Sequence, residues 1–175
     1  MATKFSEDEL KLLANTPHMI GTAMALAGGS GLIGTGKEMF ASAQSILAGV
    51  KDHPGNALIQ EITPDPAGDR QAAIDQARKQ RDWAMARLKE KGIDSSDKLR
   101  AQAIEDARAV AALLAATSSG QESAEYKKWA MSVAEKVAMA ASEGGFLGFG
   151  GEQLSAEEKK LLSELQAALE RKPVA

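Results

Sequence analysis

The residues that come nearest to a familiar chemistry lie in one glycine-rich stretch, Gly28 to Gly36. Gly29, Gly31 and Gly34 fit G-x-G-x-x-G, which cradles a dinucleotide pyrophosphate when a strand precedes it and a helix N-terminus follows. Here an alanine-rich segment of helical character precedes it, so the βαβ context is missing. Gly31 to Lys37 also fit G-x-x-x-x-G-K, the phosphate-binding loop, but Glu38 stands where a magnesium-binding Ser or Thr belongs. A carboxylate at that point repels phosphate. Thr35 and Glu38 have the spacing of a capping box instead, which predicts a glycine-rich loop and then a helix from about Gly36. No nucleotide or other cofactor is expected.

Other chemistries fare no better. The chain has no cysteine, which removes thiolate nucleophiles, disulfides, Cys-ligated zinc and iron–sulfur clusters together. Its two histidines, His18 and His53, are far apart in sequence, and no Glu-x-x-His pair offers the ligand set of a di-iron bundle. No metal is expected, and His18 reads as a satisfied, half-buried residue near a helix start. There is no G-x-S-x-G elbow, so no catalytic residue is assigned and the reading leans away from an enzyme. Arg78, Lys79, Arg81, Arg87, Lys89 and Lys91 form a basic run, but Asp75, Asp82 and Glu90 interleave with it and no set of stacking aromatics accompanies it. That is a salt-bridged, solvated face, and no nucleic-acid partner is expected.

Binding residues are a different matter. Trp83 falls about 180° from Ile74 on its helix, among charged neighbours. It is read as packing under a second layer of helices, or as an exposed anchor for a partner. Gly144 to Gly151 read GGFLGFGG, where Phe146, Leu147 and Phe149 are bracketed by glycines. This stretch either plugs the end of a bundle or serves as an apolar docking loop or flap. Met19, Met24 and Ile33 are the candidate lining of an internal apolar cavity.

The elements that must position these residues are helices. From Leu12 to Gly36 the chain has no formal charge, yet its six glycines and its polar residues leave it too weakly hydrophobic to span a bilayer. It is expected to be the buried heart of a single domain, with no membrane partner. Ser6 and Glu9 make a capping box that opens a helix from about Glu7 to Asn15. Thr16 and Pro17 read as the cap and first residue of a second one, over 17–27. The next helix, about 36–48, shows Met39, Phe40, Ala43, Ile46 and Leu47 as its apolar side, and a short one follows near 57–62.

Four of the five prolines lie at or before position 66, and the long reach beyond it suits three long helices. The first, about 68–91, stacks Ile74, Ala77, Arg81, Ala84, Met85 and Leu88, with Gly92 as its C-cap. The second, about 95–118, has the stripe Leu99, Ala103, Ala107, Val110 and Leu114. The third, about 121–143, has Tyr126, Trp129, Ala130, Val133, Val137, Ala140 and Ala141. Ser155 and Glu158 cap a last helix with the stripe Leu161, Leu162, Leu165 and Leu169. The periodicity is helical throughout.

The fold class is therefore all-α: a bundle framed by three long antiparallel helices, with short N-terminal helices and a C-terminal helix. The organisation is one helical domain over 1–175, in which 1–66 supplies short uncharged helices, 67–143 the frame, and 144–175 the Gly/Phe loop and last helix. The net charge of −3 is small and evenly spread, which favours neither a polyanion nor an acidic membrane as partner. The polar, acidic start of the chain does not read as a signal peptide, so a cytoplasmic protein is expected.

GGFLGFGG followed by Ser155-Ala156-Glu157-Glu158 resembles the C-terminal part of a family of small bacterial all-α proteins with no assigned activity. The Phe5-to-Leu13 start, followed by a proline and an uncharged Gly-rich run, is similar too. The resemblance implies the fold and a bacterial cytoplasmic setting, and it carries no catalytic residues. The reading that results is a non-enzymatic, self-associating helical module, a homo-oligomer whose interface includes Phe146, Phe149 or the face around Trp83. The alternative is a binder of an apolar small molecule, with the 144–151 loop as lid.

Overall fold

The computed structural model describes residues 4–27, 31–65, 67–142 and 154–170, the side chains of 31–39 and 141–142 excepted. Phe146, Leu147 and Phe149 thus lie outside the described residues, as does the lid over 144–151. Seven helices are described: α1 (Glu7–Ala27), α2 (Gly31–Asp52), α3 (Ala57–Ile62), α4 (Arg70–Glu90), α5 (Ser96–Thr117), α6 (Gly120–Ser142) and α7 (Ala156–Glu170). The all-α bundle expected from the periodicity is what forms. Its boundaries follow the expected caps. Ser6 and Glu9 close a capping box, the Ser6 N–H donating to Glu9 Oε2 at 2.7 Å and the Glu9 N–H to Ser6 Oγ at 3.3 Å. Ser155 and Glu158 repeat it on α7, at 2.7 and 3.2 Å. Gly92, at φ 64°, ends α4 with the Ile93 N–H on the Leu88 carbonyl at 2.9 Å, a Schellman closure.

The first correction concerns Pro17. It does not open a second helix; α1 runs unbroken through it. An interior proline removes the N–H that would serve the carbonyl four residues back and crowds that carbonyl, at a cost of about 3 kcal/mol. Here that carbonyl belongs to Leu13. Tyr126 Oη, fully buried on α6, donates to it at 2.6 Å, while Thr16 Oγ1 donates to the Leu12 carbonyl at 2.8 Å. A helix with a gap in its hydrogen-bond ladder can lie in the core because another helix fills the gap. His18 accordingly sits mid-helix and exposed rather than near a helix start.

The centre of the bundle is α1, which packs against every other described helix. Lys4 pairs with Glu122, Leu13 meets Tyr126, and Gly21 lies beside Val133, so α1 and α6 run parallel. Arg100 Nη2 donates to the Leu26 carbonyl at 3.3 Å, which sets the start of α5 against the end of α1 and makes those two antiparallel. On α5 the stripe Ala103, Ala107, Val110 and Leu114 is buried as expected, as are Tyr126, Trp129, Ala130, Val133 and Val137 on α6 and Leu161, Leu165 and Leu169 on α7. Leu13, Ile20 and Met24 of α1 complete one continuous core.

The frame differs from expectation in its membership. Helix α4 buries no residue, and its only close helix packing is with α1. Its expected inner stripe faces outward in part: Ile74 is 41% exposed and Met85 61%. The second difference is α2. It begins at Gly31, so Gly31 to Gly36 are helical rather than a loop, and Thr35 lies inside the helix rather than at its start. The nucleotide-like glycine patterns are built from helical backbone in this part.

Two tests address these contacts. Tyr126→Phe is expected to destabilise the chain by about 1–3 kcal/mol, the cost of a buried carbonyl left unsatisfied. In a Pro17→Ala background the same change should cost clearly less, because the backbone N–H restored by that substitution then serves Leu13. Urea denaturation of the four variants measures the coupling, and equal costs in both backgrounds would remove the Leu13 carbonyl as the reason for Tyr126.

The second test concerns acid. The backbone N–H of Ser6 holds Glu9 below its ordinary value of 4.5, and Gln121 with Asn56 does the same for Glu125. Groups depressed on folding contribute stability above their unfolded pKa and lose it as pH falls through the folded one. The melting temperature should therefore be level near neutrality and fall below about pH 5. Glu9→Gln with Glu125→Gln should melt lower at pH 7 and lose less on acidification; a parallel fall would contradict the assignment.

Candidate functional site

The surface that stands out is on α2, and the reason begins with two glycines. A Cβ on Gly21 would lie 3.0 Å from Ser42 Cβ and 3.2 Å from Val133 Cγ1. A Cβ on Gly49 would lie 2.7 Å from Trp129 Cε2 and 2.8 Å from Cδ1. Trp129 Nε1 donates to the Ser45 carbonyl at 3.3 Å, and its ring stands edge-on to Tyr126 with centroids 5.5 Å apart. Helix α2 therefore approaches α1 and α6 through its small residues. Ser42, Ser45, Ile46 and Gly49 face inward, with Ser45 Oγ satisfied by the Ala41 carbonyl at 2.7 Å.

The consequence is a correction to the apolar side expected for this helix. Of Phe40, Ala43, Ile46 and Leu47, only Ile46 is buried. Phe40 is 64% exposed and Leu47 41%, while Met139 on the neighbouring α6 is 58% exposed. A groove of about 670 Å³ between α2 and α6 is lined by Leu47 and Met139, with Ala41, Ala48 and Ala140, and by Lys51 and Lys136. Neither lysine has an ion-pair partner among the described residues. Sequence periodicity named the apolar residues of α2 but turned them inward, because it weighs hydrophobicity and not how close two backbones must come.

A second polar centre joins α4 to α5. Asp106, 1% exposed, accepts a forked pair from Arg87 at 2.5 and 2.7 Å and a further bond from Gln102 Nε2 at 2.7 Å. Arg87 also lies 5.6 Å from the centroid of Trp83. The hydrogen bond to Asp106 raises the Arg87 pKa further, so the guanidinium stays charged. Burial, with the charge of Asp106 in addition, pushes Tyr126 far above the usual phenol range and keeps it a donor. Asp106 is absent from the residues singled out in the sequence, although a carboxylate in register with Leu99, Ala103 and Val110 on an apolar stripe signals a buried pair. Under α4, a groove of about 450 Å³ lies between α1, α3 and α4, lined by Leu10, Ala14, Ile62 and Ala72 and by charges of both signs.

The described candidate residues do not converge. Trp83 is half-buried beneath Arg87 of its own helix and lines neither groove. Met19 and Met24 are 4% and 1% exposed in the core, and neither lines the grooves described. Ile33 lies in α2, its side chain outside the described set. Among the described residues no group of three or more His, Asp or Glu side chains is placed to hold a metal ion. No helix among them is long and apolar enough to cross a membrane. Comparison with protein-family models, with curated proteins and with solved structures finds no match to this chain.

Removing Arg87 strands a buried carboxylate. Arg87→Met is expected to cost about 3 kcal/mol in urea denaturation, and Arg87→Met with Asp106→Leu to regain most of that loss. A double variant as unstable as the single one would show that the charge of Asp106 is not what Arg87 compensates.

Proposed function

We propose that this chain is a non-enzymatic helical interaction module that associates with itself, and that α2 with the adjoining edge of α6 is the associating face. One observation supports this above the others. Helix α2 buries serines and glycine while Phe40 and Leu47 are exposed, with Met139 exposed beside them. Scattered apolar residues on a surface need no explanation, but a helix that turns a phenylalanine and a leucine outward on one stripe leaves apolar area for a partner to cover. Interfaces draw much of their energy from such aromatic and long apolar side chains. The segment with Phe146 and Phe149 follows directly on α6, and this reading includes it in the same assembly. With it we keep the bacterial cytoplasmic setting that the resemblance implies. The small-molecule alternative has less support, since Met19 and Met24 are already enclosed by neighbouring core side chains.

Native mass spectrometry and light scattering over a wide concentration range test the reading. The parent should show a multiple of 18.4 kDa. Phe40→Asp with Leu47→Asp, both at exposed helical positions, should be monomeric with an unchanged helical circular-dichroism spectrum. A parent that is monomeric at every concentration overturns self-association.

A further inference from the structure

The α2 face carries a more specific inference about how two copies meet. At 100° per residue, Phe40, Gln44, Leu47 and Lys51 fall within about 60° of one another on α2, a straight stripe roughly 16 Å long. The stripe holds one aromatic at its start, one aliphatic near its middle, one cation at its end, and no acid. Reversed about a point between residues 45 and 46, it complements itself: position 40 meets 51, and 44 meets 47.

We propose that the occupant of this face is a second copy of the chain, docked antiparallel about a two-fold axis so that each Phe40 ring packs against Lys51 of the other copy. The proposal rests on the self-association reading and adds the register. Lys51, unpaired among the described residues, places its ammonium over an aromatic ring, whose face attracts cations. Its methylene stem covers the exposed edge of that ring. Leu47 reaches the apolar groove beside α6 of the other copy. The contact is isologous, so each favourable pair is made twice. A parallel arrangement would set Lys51 against Lys51 and leave both rings without a cation.

Charge also explains why the other exposed apolar helix does not serve. On α4, Ile74 and Met85 are separated by Arg78 and Arg81 on the same face. Reversing α4 on itself would bring the Arg78–Asp75 and Arg81–Asp82 ion pairs of the two copies to the centre of the contact, where association would have to desolvate them. Of the two faces, that of α2 can meet its own reverse without burying an ion pair.

The test replaces Phe40 with the photo-crosslinker p-benzoylphenylalanine, which keeps a large aromatic group in place. This variant is mixed with parent protein labelled with nitrogen-15, irradiated, and the attachment site on the labelled copy mapped by mass spectrometry. The expected result is a covalent dimer attached within residues 47–52. In parallel, Lys51→Glu should weaken dimerisation by about tenfold, from two lost cation–ring contacts. Attachment near position 40, attachment outside α2, or a dimer unaffected by Lys51→Glu overturns the register while self-association stands. If the unmodified chain is monomeric in native mass spectrometry, both the register and the self-association reading fail.

Discussion

Pro17 leaves the Leu13 carbonyl without its helical donor in the middle of α1, the helix about which the others are arranged. In water such a gap is repaired by solvent. In a core it must be repaired by the protein, because a buried acceptor without a partner costs more than a typical hydrogen bond gains. The Tyr126 hydroxyl, 2.6 Å away, makes that repair, and it fixes the height at which α6 lies along α1. The remaining tyrosine contacts follow from its place: the edge-on meeting with Trp129, and through Trp129 the seat of α2.

That seat is where packing and surface chemistry become one question. Trp129 needs the space that Gly49 leaves, and Ser42 of α2 needs the space that Gly21 leaves on α1. Close approach of backbones selects small side chains on the facing sides, whatever their polarity, provided the polar ones are satisfied. Ser45 meets the condition through the Ala41 carbonyl. A helix has only one inward face. Once serine and glycine occupy it, the phenylalanine and leucine on the other side are left outside. The exposed apolar stripe of α2 is thus a direct result of how tightly its inner side is packed.

This also explains which features could be read from the sequence. The capping boxes at Ser6 and Ser155, the Gly92 stop and the stripes of α5, α6 and α7 depend on residues a few positions apart, and periodicity finds them. The continuous α1 could not be found in that way, since the donor that rescues Pro17 lies on another helix, more than a hundred positions later. Gly31 to Gly36 read as loop because glycine disfavours helix locally, yet α2 begins at Gly31. On α4 the stripe Ile74–Leu88 looked like a core face because it contains the helix's few apolar residues. The helix is instead turned so that Arg87 reaches Asp106, since a buried carboxylate left without its partner costs more than two partly exposed aliphatics. At the candidate site the residue types of the α2 face were legible, and its direction was not.

The two peripheral helices, α2 and α4, then differ in what holds them. Helix α2 is fixed by interlocked small residues and a tryptophan, contacts that tolerate little sliding. Helix α4 buries no residue fully and is held by the Arg87–Asp106 pair and by Leu88, partly buried against the core. A face that is to meet another copy in one register must itself be held in one register, because any freedom in it is lost again on association. On that ground α2 is the better platform even apart from its charge pattern. The packing that forces Phe40 and Leu47 outward also holds them still, so one constraint supplies both the apolar surface and the rigidity that makes such a surface selective.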